Sequence, residues 1–418
     1  MATVIADVTV HSSATGPGID LRFEFPPTGD VICLPLRDRE ALLRVQRRAG
    51  QYLERAVRLA ARLNATTEQA ADVFHSLVGA GGTLLELLAR DRAYLDLQDA
   101  FQAAWPLWDR ADWGDPEAPV PIVQLSSRDD TLPLEMLPVF DVGALPDPRT
   151  HDERVRAASR FLGFTASVRR TVSVPTDADR VIRNHPALPV QFLRHRRLPS
   201  ALREARFLAS LGGHVRVDGP WPTSEGNDAT RAALLRALYA GEPLNGAERS
   251  EPPVQVHHFA CHCDTTAEVD DDYTLRLSTT WGRRRDVSLG ELRRAYRERF
   301  VADRDERRHR GIVVLNACAS SRTDPVTAAS FAQWFVANGH RAFIGTETDV
   351  PDGVASGFAA AFYGRLLEAR RPLGEAVVWA RRDLLRDFRN PLGLLYVVYG
   401  DTDLVVERPR PGSYRAMG

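Results

Sequence analysis

The second half of the sequence alternates apolar runs with amphipathic segments, and this alternation limits the folds that the chain can adopt. Uniformly apolar runs recur at strand length, namely PVQVHHFA, GIVVLNA, RAFIGT and LGLLYVVYG. Strands of this composition are typical of a mainly parallel sheet that helices cover on both faces. We therefore predict an α/β fold from about residue 185 onward, with helices that include one capped by Ser200, one over residues 229–241 and one that begins at Asp324. Catalytic groups and ligands of such sheets gather at the carboxyl ends of the strands.

The first 120 residues show different patterns and are predicted to form an N-terminal extension. Residues 1–36 alternate apolar and polar side chains, which indicates two half-buried strands in a hairpin. Residues 37–108 carry apolar side chains three and four positions apart, as amphipathic helices do. We therefore divide the chain into an extension, residues 1–120, and a larger α/β domain, residues 121–418.

Composition argues against several classes of protein. The 418 residues include 54 basic and 55 acidic side chains, a balance that favours neither nucleic acid nor a membrane surface as a direct partner. Four cysteines are too few for a disulfide framework and favour a reducing compartment. Asp7 interrupts any signal-peptide core, and no apolar run approaches the ~20 residues of a membrane span. We expect a cytoplasmic protein.

Two of the predicted strands end in reactive side chains. PVQVHHFA leads into His262, and GIVVLNA leads into Cys318, 56 residues later. If these strands are neighbours, the imidazole and the thiol meet at one edge of the sheet. A thiol with its ordinary pKa of ~8.5 is mostly protonated at neutral pH, and a nearby histidine can remove that proton and later protonate a leaving amine. The pair is therefore a candidate nucleophile and general acid/base for acyl transfer.

Several ordered motifs resemble the CHAT family of caspase-like cysteine peptidases, a bacterial group similar to the separases. The histidine segment is FACH at 259–262, the cysteine segment is VVLNAC at 313–318, and LPLEMLP at 132–138 resembles the Pro-x-Glu-x-Leu segment of the family. The resemblance extends over roughly residues 120–406. Caspases place their histidine ~50 residues before the cysteine, in agreement with the spacing here.

The resemblance implies a caspase-like fold, a catalytic dyad of His262 and Cys318, and no cofactor or metal. It also implies that main-chain N–H groups of Cys318 and Cys263 hold the oxyanion. The family typically has glycine where this chain has Cys263, so a positive φ at that position would strain the backbone. The expected partners are a protein substrate and an activating sensor or regulatory protein encoded nearby, in bacterial antiphage defence or cell death.

Acidic residues near the predicted site have more than one interpretation. Glu347, Asp349 and Asp352 follow the strand RAFIGT and are candidates for a substrate pocket that selects Arg or Lys. Asp352 also suits the N-cap of the next helix, which is the interpretation that we favour for it. Glu135 in LPLEMLP is expected to be a buried acceptor for main-chain N–H groups.

Alternatives remain open at this stage. Cys318 could be a buried core thiol, and the dyad could be idle in a binding or regulatory subunit. The cluster HHFACHC holds potential zinc ligands, although a zinc pair usually sits on a turn with two to four residues between ligands. The charged run VADRDERRHRG, residues 301–311, could be a solvated helix end or a processing loop.

Overall fold

The computed structural model describes residues 3–12, 18–36, 39–60, 62–88, 93–105, 115, 118–126, 132–139, 150–158, 160–171, 180–184, 187–195, 198–221, 238, 254–264, 273–280, 283–300, 310–317 and 330–407. The chain forms two compact units. Unit 1 comprises residues 1–172 and 374–398, and unit 2 comprises residues 173–373 and 399–418. The predicted division at residue 120 stays a prediction.

Unit 1 contains a mixed sheet with helices packed against it. Its strands are β1 (Val4–Ser12), β2 (Ile19–Phe25), β3 (Asp30–Leu36), β4 (Ile122–Ser126) and β5 (Ser167–Thr171), paired in the order β5-β4-β1-β2-β3. The helices are α1 (Arg39–Leu59), α2 (Thr67–Leu88), α3 (Ala93–Ala104), α4 (His151–Ala158) and α5 (Leu162–Thr165). β1 is parallel to β4 and antiparallel to β2.

The N-terminal hairpin was predicted with two strands, and the structure has three. The second predicted strand is in fact β2 and β3, joined by a turn at which Gly29 adopts φ 79°. A left-handed residue costs little at glycine, so the chain reverses there. The helices predicted over residues 37–108 are present as α1, α2 and α3 within the described residues.

Glu135 of unit 1 is fully buried, but its partners differ from those predicted. Its carboxylate accepts from Arg170 Nη1 at 2.6 Å and from Arg170 Nη2 at 2.5 Å, and it lies 3.5 Å from Arg381 Nη2. The prediction of main-chain N–H donors is therefore wrong. The two arginines also bind backbone carbonyls, those of Leu132 and Gly163. Burial lowers the pKa of Arg381 to about 10, and the Glu135 charge opposes this shift.

Unit 2 contains the predicted parallel sheet. Its strands β7 (Leu188–Arg194), β8 (Val215–Trp221), β9 (Val256–Asp264), β12 (Arg310–Ala317) and β13 (His340–Thr346) are all parallel in the order β8-β7-β9-β12-β13. An antiparallel pair, β10 (Thr274–Thr280) and β11 (Arg283–Ser288), continues from the end of β9. Two short strands, β6 (Val181–Ile182) and β15 (Val405–Val406), form a separate parallel pair.

Helices cover both faces of this sheet, as predicted. Their bounds are Pro199–Ser210 for α6, Leu289–Phe300 for α7, Phe331–Ala337 for α8 and Asp352–Tyr363 for α9, which continues as a π-helical turn to Glu368. Helix α10 (Leu373–Phe388) and a 3-10 helix (Pro391–Leu395) belong, apart from Leu373, to unit 1, and β14 (Tyr396–Gly400) begins in unit 1 and ends in unit 2. We predicted that the helix before β13 begins at Asp324, which lies outside the described residues. The observed helix α8 begins at Phe331, because extended Ser330 caps it.

Candidate active site

The order of the parallel strands places a crevice between β7 and β9. If the five strands are numbered by their order in the chain, their order across the sheet is 2-1-3-4-5. The direction of the connections therefore changes between the first strand, β7, and the third, β9. Open α/β sheets bind ligands outside the carboxyl ends of the strands at such a switch point. His195 directly follows β7, and His262 lies near the end of β9. Their rings are 4.8 Å apart, edge to face, so His195 contacts the predicted catalytic histidine.

The predicted adjacency of the histidine and cysteine strands is confirmed. β9 and β12 pair in parallel, with Asn316 opposite Ala260 and Ala317 opposite Cys261. At the start of β12, a Cβ on Gly311 would lie 2.1 Å from the Gln255 carbonyl oxygen, so glycine allows the two chains to approach closely. His262 and Cys318 are the next residues in the two sequences. Cys318 itself lies outside the described residues.

The end of β9 changes its hydrogen-bonding partner at His262. Residues 256–260 pair with β7, whereas His262, Cys263 and Asp264 pair with Arg276, Leu275 and Thr274 of β10. Among the described non-glycine residues, positive φ occurs at Arg370 and Arg389. Cys263 is therefore free of the strain that its substitution for glycine led us to expect, and its backbone is that of an ordinary strand residue.

A small pocket of about 60 Å³ opens beside His262. A space of this size holds a few water molecules or the end of one side chain. Two carboxylic acids contribute to its wall, Asp352 and Glu204, together with Asn316. Glu347 and Asp349 are not among the described residues that line the pocket. Of the three predicted pocket acids, Asp352 is thus the one that the structure brings next to His262.

Asp352 caps a helix, but not the helix that we predicted. Helix α9 begins at Asp352 itself, with Pro351 in the N-cap position, so the prediction that Asp352 caps this helix is wrong. Its Oδ2 instead accepts a hydrogen bond of 2.9 Å from the main-chain N–H of Ser200 in the first turn of α6. A carboxylate near a helix N-terminus satisfies an unbonded N–H and interacts favourably with the helix dipole. Ser200 was predicted to cap α6. Its own main-chain N–H is instead capped by the Asp352 side chain.

Sequence reasoning missed Glu204, the second acid of the pocket. Its residue is 3% exposed, and its Oε2 accepts from His258 Nε2 at 2.7 Å and from Asn316 Nδ2 at 3.0 Å. The Tyr363 hydroxyl lies 2.9 Å from His258 Nδ1. Burial and the Glu204 charge raise the pKa of Tyr363 well above its ordinary value, so the hydroxyl keeps its proton. The sequence signal was a lone acid in SALREARF, which resembles a solvent-facing helix residue.

The two histidines before the site point to opposite faces of the sheet. His257 Nδ1 lies 3.0 Å from Gln191 Oε1, whereas His258 faces Glu204 and Tyr363. A shared metal ion would require these side chains to converge. No group of three His, Cys, Asp or Glu side chains suited to a metal ion occurs among the residues that the structure describes. The zinc alternative thus finds no support in the geometry of HHFACHC.

Two further predictions concern other parts of the chain. The charged run at 301–311 was one candidate for a processing loop, and most of it lies outside the described residues. The predicted helix over residues 229–241 also lies outside them, except for Leu238. Within the described residues, every helix is too short or too polar to cross a bilayer.

Comparisons with known proteins agree with the sequence motifs. The model of the CHAT domain family matches residues 135–397. A protein named as a probable protease from Vitiosangium sp. (strain GDMCC 1.1324) is 34% identical over 94 residues, which is 22% of this chain and 12% of that protein. Two structures of the separase–securin complex of Saccharomyces cerevisiae show TM-scores of 0.49 and 0.45 at 10% identity. They cover 97% and 96% of this chain, and 30% of the other chain in both cases.

Proposed function

Because the chain belongs to the CHAT domain family, whose model matches residues 135–397, we propose that it is a cysteine endopeptidase. Cys318 is the nucleophile, and its sulfur attacks the carbonyl carbon of the scissile peptide bond. His262 accepts the thiol proton and gives it to the leaving amine as the C–N bond breaks. Water then hydrolyses the thioester, with His262 as the base, which restores the thiol and releases the acid.

The observation that carries this proposal is the parallel register of β9 and β12. It ends with Ala317 opposite Cys261, one residue before Cys318 and His262 respectively. The proposal continues that register by one position, which makes the nucleophile and the base direct neighbours. The pocket beside His262 supports it further, because a substrate side chain has room to enter there. The oxyanion is held by the main-chain N–H groups of Cys318 and Cys263.

Acidic groups in the pocket wall suggest the substrate preference. Asp352 and Glu204 line the space beside His262, so we propose that it selects Arg or Lys before the scissile bond. Asp349 is exposed and Glu347 is partly buried on the segment that follows β13. These two acids remain candidates for a contact with a neighbouring substrate residue.

The proposed biological role is that of a regulated effector. The chain would cleave a specific protein after a sensor or regulatory protein, encoded nearby, activates it, in bacterial antiphage defence or cell death. It would act in the cytoplasm, without direct binding of nucleic acid or membrane. The alternative is a caspase-like subunit that binds a partner while its dyad is idle. Cys263 at the glycine position of the family favours this alternative, whereas its unstrained backbone does not.

A peptide electrophile tests the two candidates directly. The exposed Cys33 is first replaced by serine. The Cys33→Ser protein is then treated with peptidyl acyloxymethyl ketones that carry Arg, Leu or Ala before the reactive group. The peptidase predicts single labelling at Cys318, fastest with Arg, and a loss of labelling in His262→Ala. Co-expression with neighbouring genes, followed by intact-mass analysis, then identifies the substrate and any activator. Equal partner binding by wild type and Cys318→Ala, with no labelling or cleavage, would support the idle subunit.

A further inference from the structure

Asn316 connects the end of the cysteine strand to two helices. It lies two residues before Cys318, is 5% exposed and contributes to the pocket beside His262. Its Nδ2 donates to Glu204 Oε2 in α6 and to the Ala355 carbonyl oxygen in α9, both at 3.0 Å. One amide group thus joins β12 to both helices on this face of the sheet.

Asn316 lies on the part of β12 that pairs with the histidine strand. The register of β12 with β9 places Asn316 opposite Ala260 and continues to Ala317. Side-chain hydrogen bonds from Asn316 attach this end of β12 to α6 and α9.

The acceptor of Asn316 is itself held in place. Glu204 also accepts from His258, whose ring stacks on Phe192 with centroids 4.9 Å apart and planes 10° apart. The Tyr363 hydroxyl keeps its proton and can donate to His258 Nδ1, which leaves Nε2–H to donate to Glu204. Each hydrogen bond in this chain orients the group that makes the next one. The Glu204 carboxylate is therefore held in one orientation toward Asn316.

We propose that Asn316, held by Glu204 and the Ala355 carbonyl group, is a positioning residue that sets the distance between the Cys318 thiol and the His262 imidazole. This inference rests on the proposed peptidase function. Asn316 takes no proton and forms no covalent bond. It restrains the strand end, so that the thiol lies within hydrogen-bond reach of the base.

The test is alkylation of Cys318 by iodoacetamide, a small uncharged probe that does not require a substrate pocket. Rates are measured by peptide mass analysis in the Cys33→Ser background at about pH 6.5 and about pH 9.5, on either side of the ordinary thiol pKa of ~8.5. A thiol paired with His262 reacts substantially at the lower pH. Asn316→Leu should reduce that rate about tenfold or more, with little effect at the higher pH. Asn316→Ser provides a second variant if the first does not fold.

A matched control lies on the opposite face of the sheet. Gln191→Leu removes the buried contact between Gln191 and His257, which resembles the Asn316 contact in burial but does not involve β12. It should lower thermal stability while leaving the alkylation ratio at the two pH values unchanged. Glu204→Leu should reproduce the effect of Asn316→Leu, and the double variant should lose little more than either single variant, because the two residues act as one unit.

The outcomes separate the two proposals. If alkylation at the lower pH does not depend on His262 in the otherwise wild-type protein, the peptidase proposal fails. If it depends on His262 but Asn316→Leu and Asn316→Ser, both folded, react at the unaltered rate, the peptidase proposal stands and the positioning role is overturned. A fall confined to the lower pH in the Gln191→Leu control would also overturn it, because any loss of stability would then have the same effect.

Discussion

Glu135 in unit 1 and Glu204 in unit 2 are deeply buried carboxylates, and they have different partners. Glu135 in unit 1 faces the cations Arg170 and Arg381, each of which also donates to a backbone carbonyl. Glu204 in unit 2 faces an imidazole and an amide, and it lines a pocket. A carboxylate enclosed by cations has its charge neutralised and serves the fold. The proposed function assigns the Glu204 carboxylate, at a pocket wall, to substrate recognition.

The largest expected effect on stability comes from Glu135. Glu135→Gln leaves two buried guanidinium groups without a counter-charge, and breaking such a buried pair costs about 3–5 kcal/mol. Urea unfolding would measure the loss. Glu24→Gln is the matched control, since its partner Arg22 and Glu24 itself are 44% and 46% exposed and the pair is worth about 0–1 kcal/mol. Losses of similar size in the two variants would contradict the structural role of Glu135.

Removal of Glu204 should cost less than removal of Glu135. Glu204→Leu leaves two donors, His258 Nε2 and Asn316 Nδ2, without their acceptor, at a cost of about 1–3 kcal/mol. Urea unfolding at neutral pH gives the comparison. A loss larger than that of Glu135→Gln would mean that the buried network around Glu204 contributes more to folding than the one around Glu135.

Asp352 separates the structural role of a pocket acid from its role in recognition. Asp352→Ala removes the acceptor of the Ser200 N–H and should destabilise by about 1 kcal/mol, as the loss of a helix cap does. Asp352→Asn keeps an acceptor oxygen and should retain most of that stability. Both variants should lose the preference for the Arg electrophile over the Leu electrophile. If Asp352→Asn labels with unaltered preference, Asp352 is a cap alone.

The smallest effect is expected from Asp7, a half-buried carboxyl in unit 1. Burial, followed by the charge of Glu24, raises the pKa of Asp7 above its ordinary value of 3.8, against the Ser126 hydrogen bond. Its stabilising contribution is therefore fully present below pH 3.8 and is lost as the pH rises through the folded-state pKa. Partial exposure limits the loss to about 0.5 kcal/mol or less.

Asp7→Asn should remove this pH dependence. The unfolding free energy of Asp7→Asn minus that of wild type should be larger at neutral pH than near pH 3.8, because wild type alone loses stability as the carboxyl ionises. Urea unfolding at the two pH values, with Asp30→Asn at the exposed start of β3 as the control, would measure it. An unchanged difference would show that the carboxyl titrates in the folded protein as it does in the unfolded chain.

Long apolar segments made most of the parallel sheet predictable. The runs that became β9, β12 and β13 are rich in apolar side chains, so their type and their parallel pairing were predictable from burial. Strands β5 and β11, SVRRT and RRRDVS, were missed because arginine interrupts their patterns. Arg170 is in fact buried, and its Glu135 partner lies 35 residues away in sequence, so no local pattern could identify the strand.

The candidate site was predictable only in part, for the same reason. His262 was found because it ends an apolar strand, whereas His195 and Glu204 contact the site from other elements. A contact between residues of different elements depends on strand order, which the local sequence does not contain. Asp352 shows this dependence most directly, because its helix-capping chemistry was expected but its recipient is a helix 152 residues earlier.

The change of partner along β9 divides the strand into two parts. Residues 256–260 lie between parallel neighbours on both sides, and residues 262–264 pair with β10 of the β10–β11 hairpin. His262 is the first residue of the second part. The place of the imidazole therefore depends on the hairpin as well as on the parallel sheet, so a change in the hairpin sequence can affect the dyad from outside the pocket.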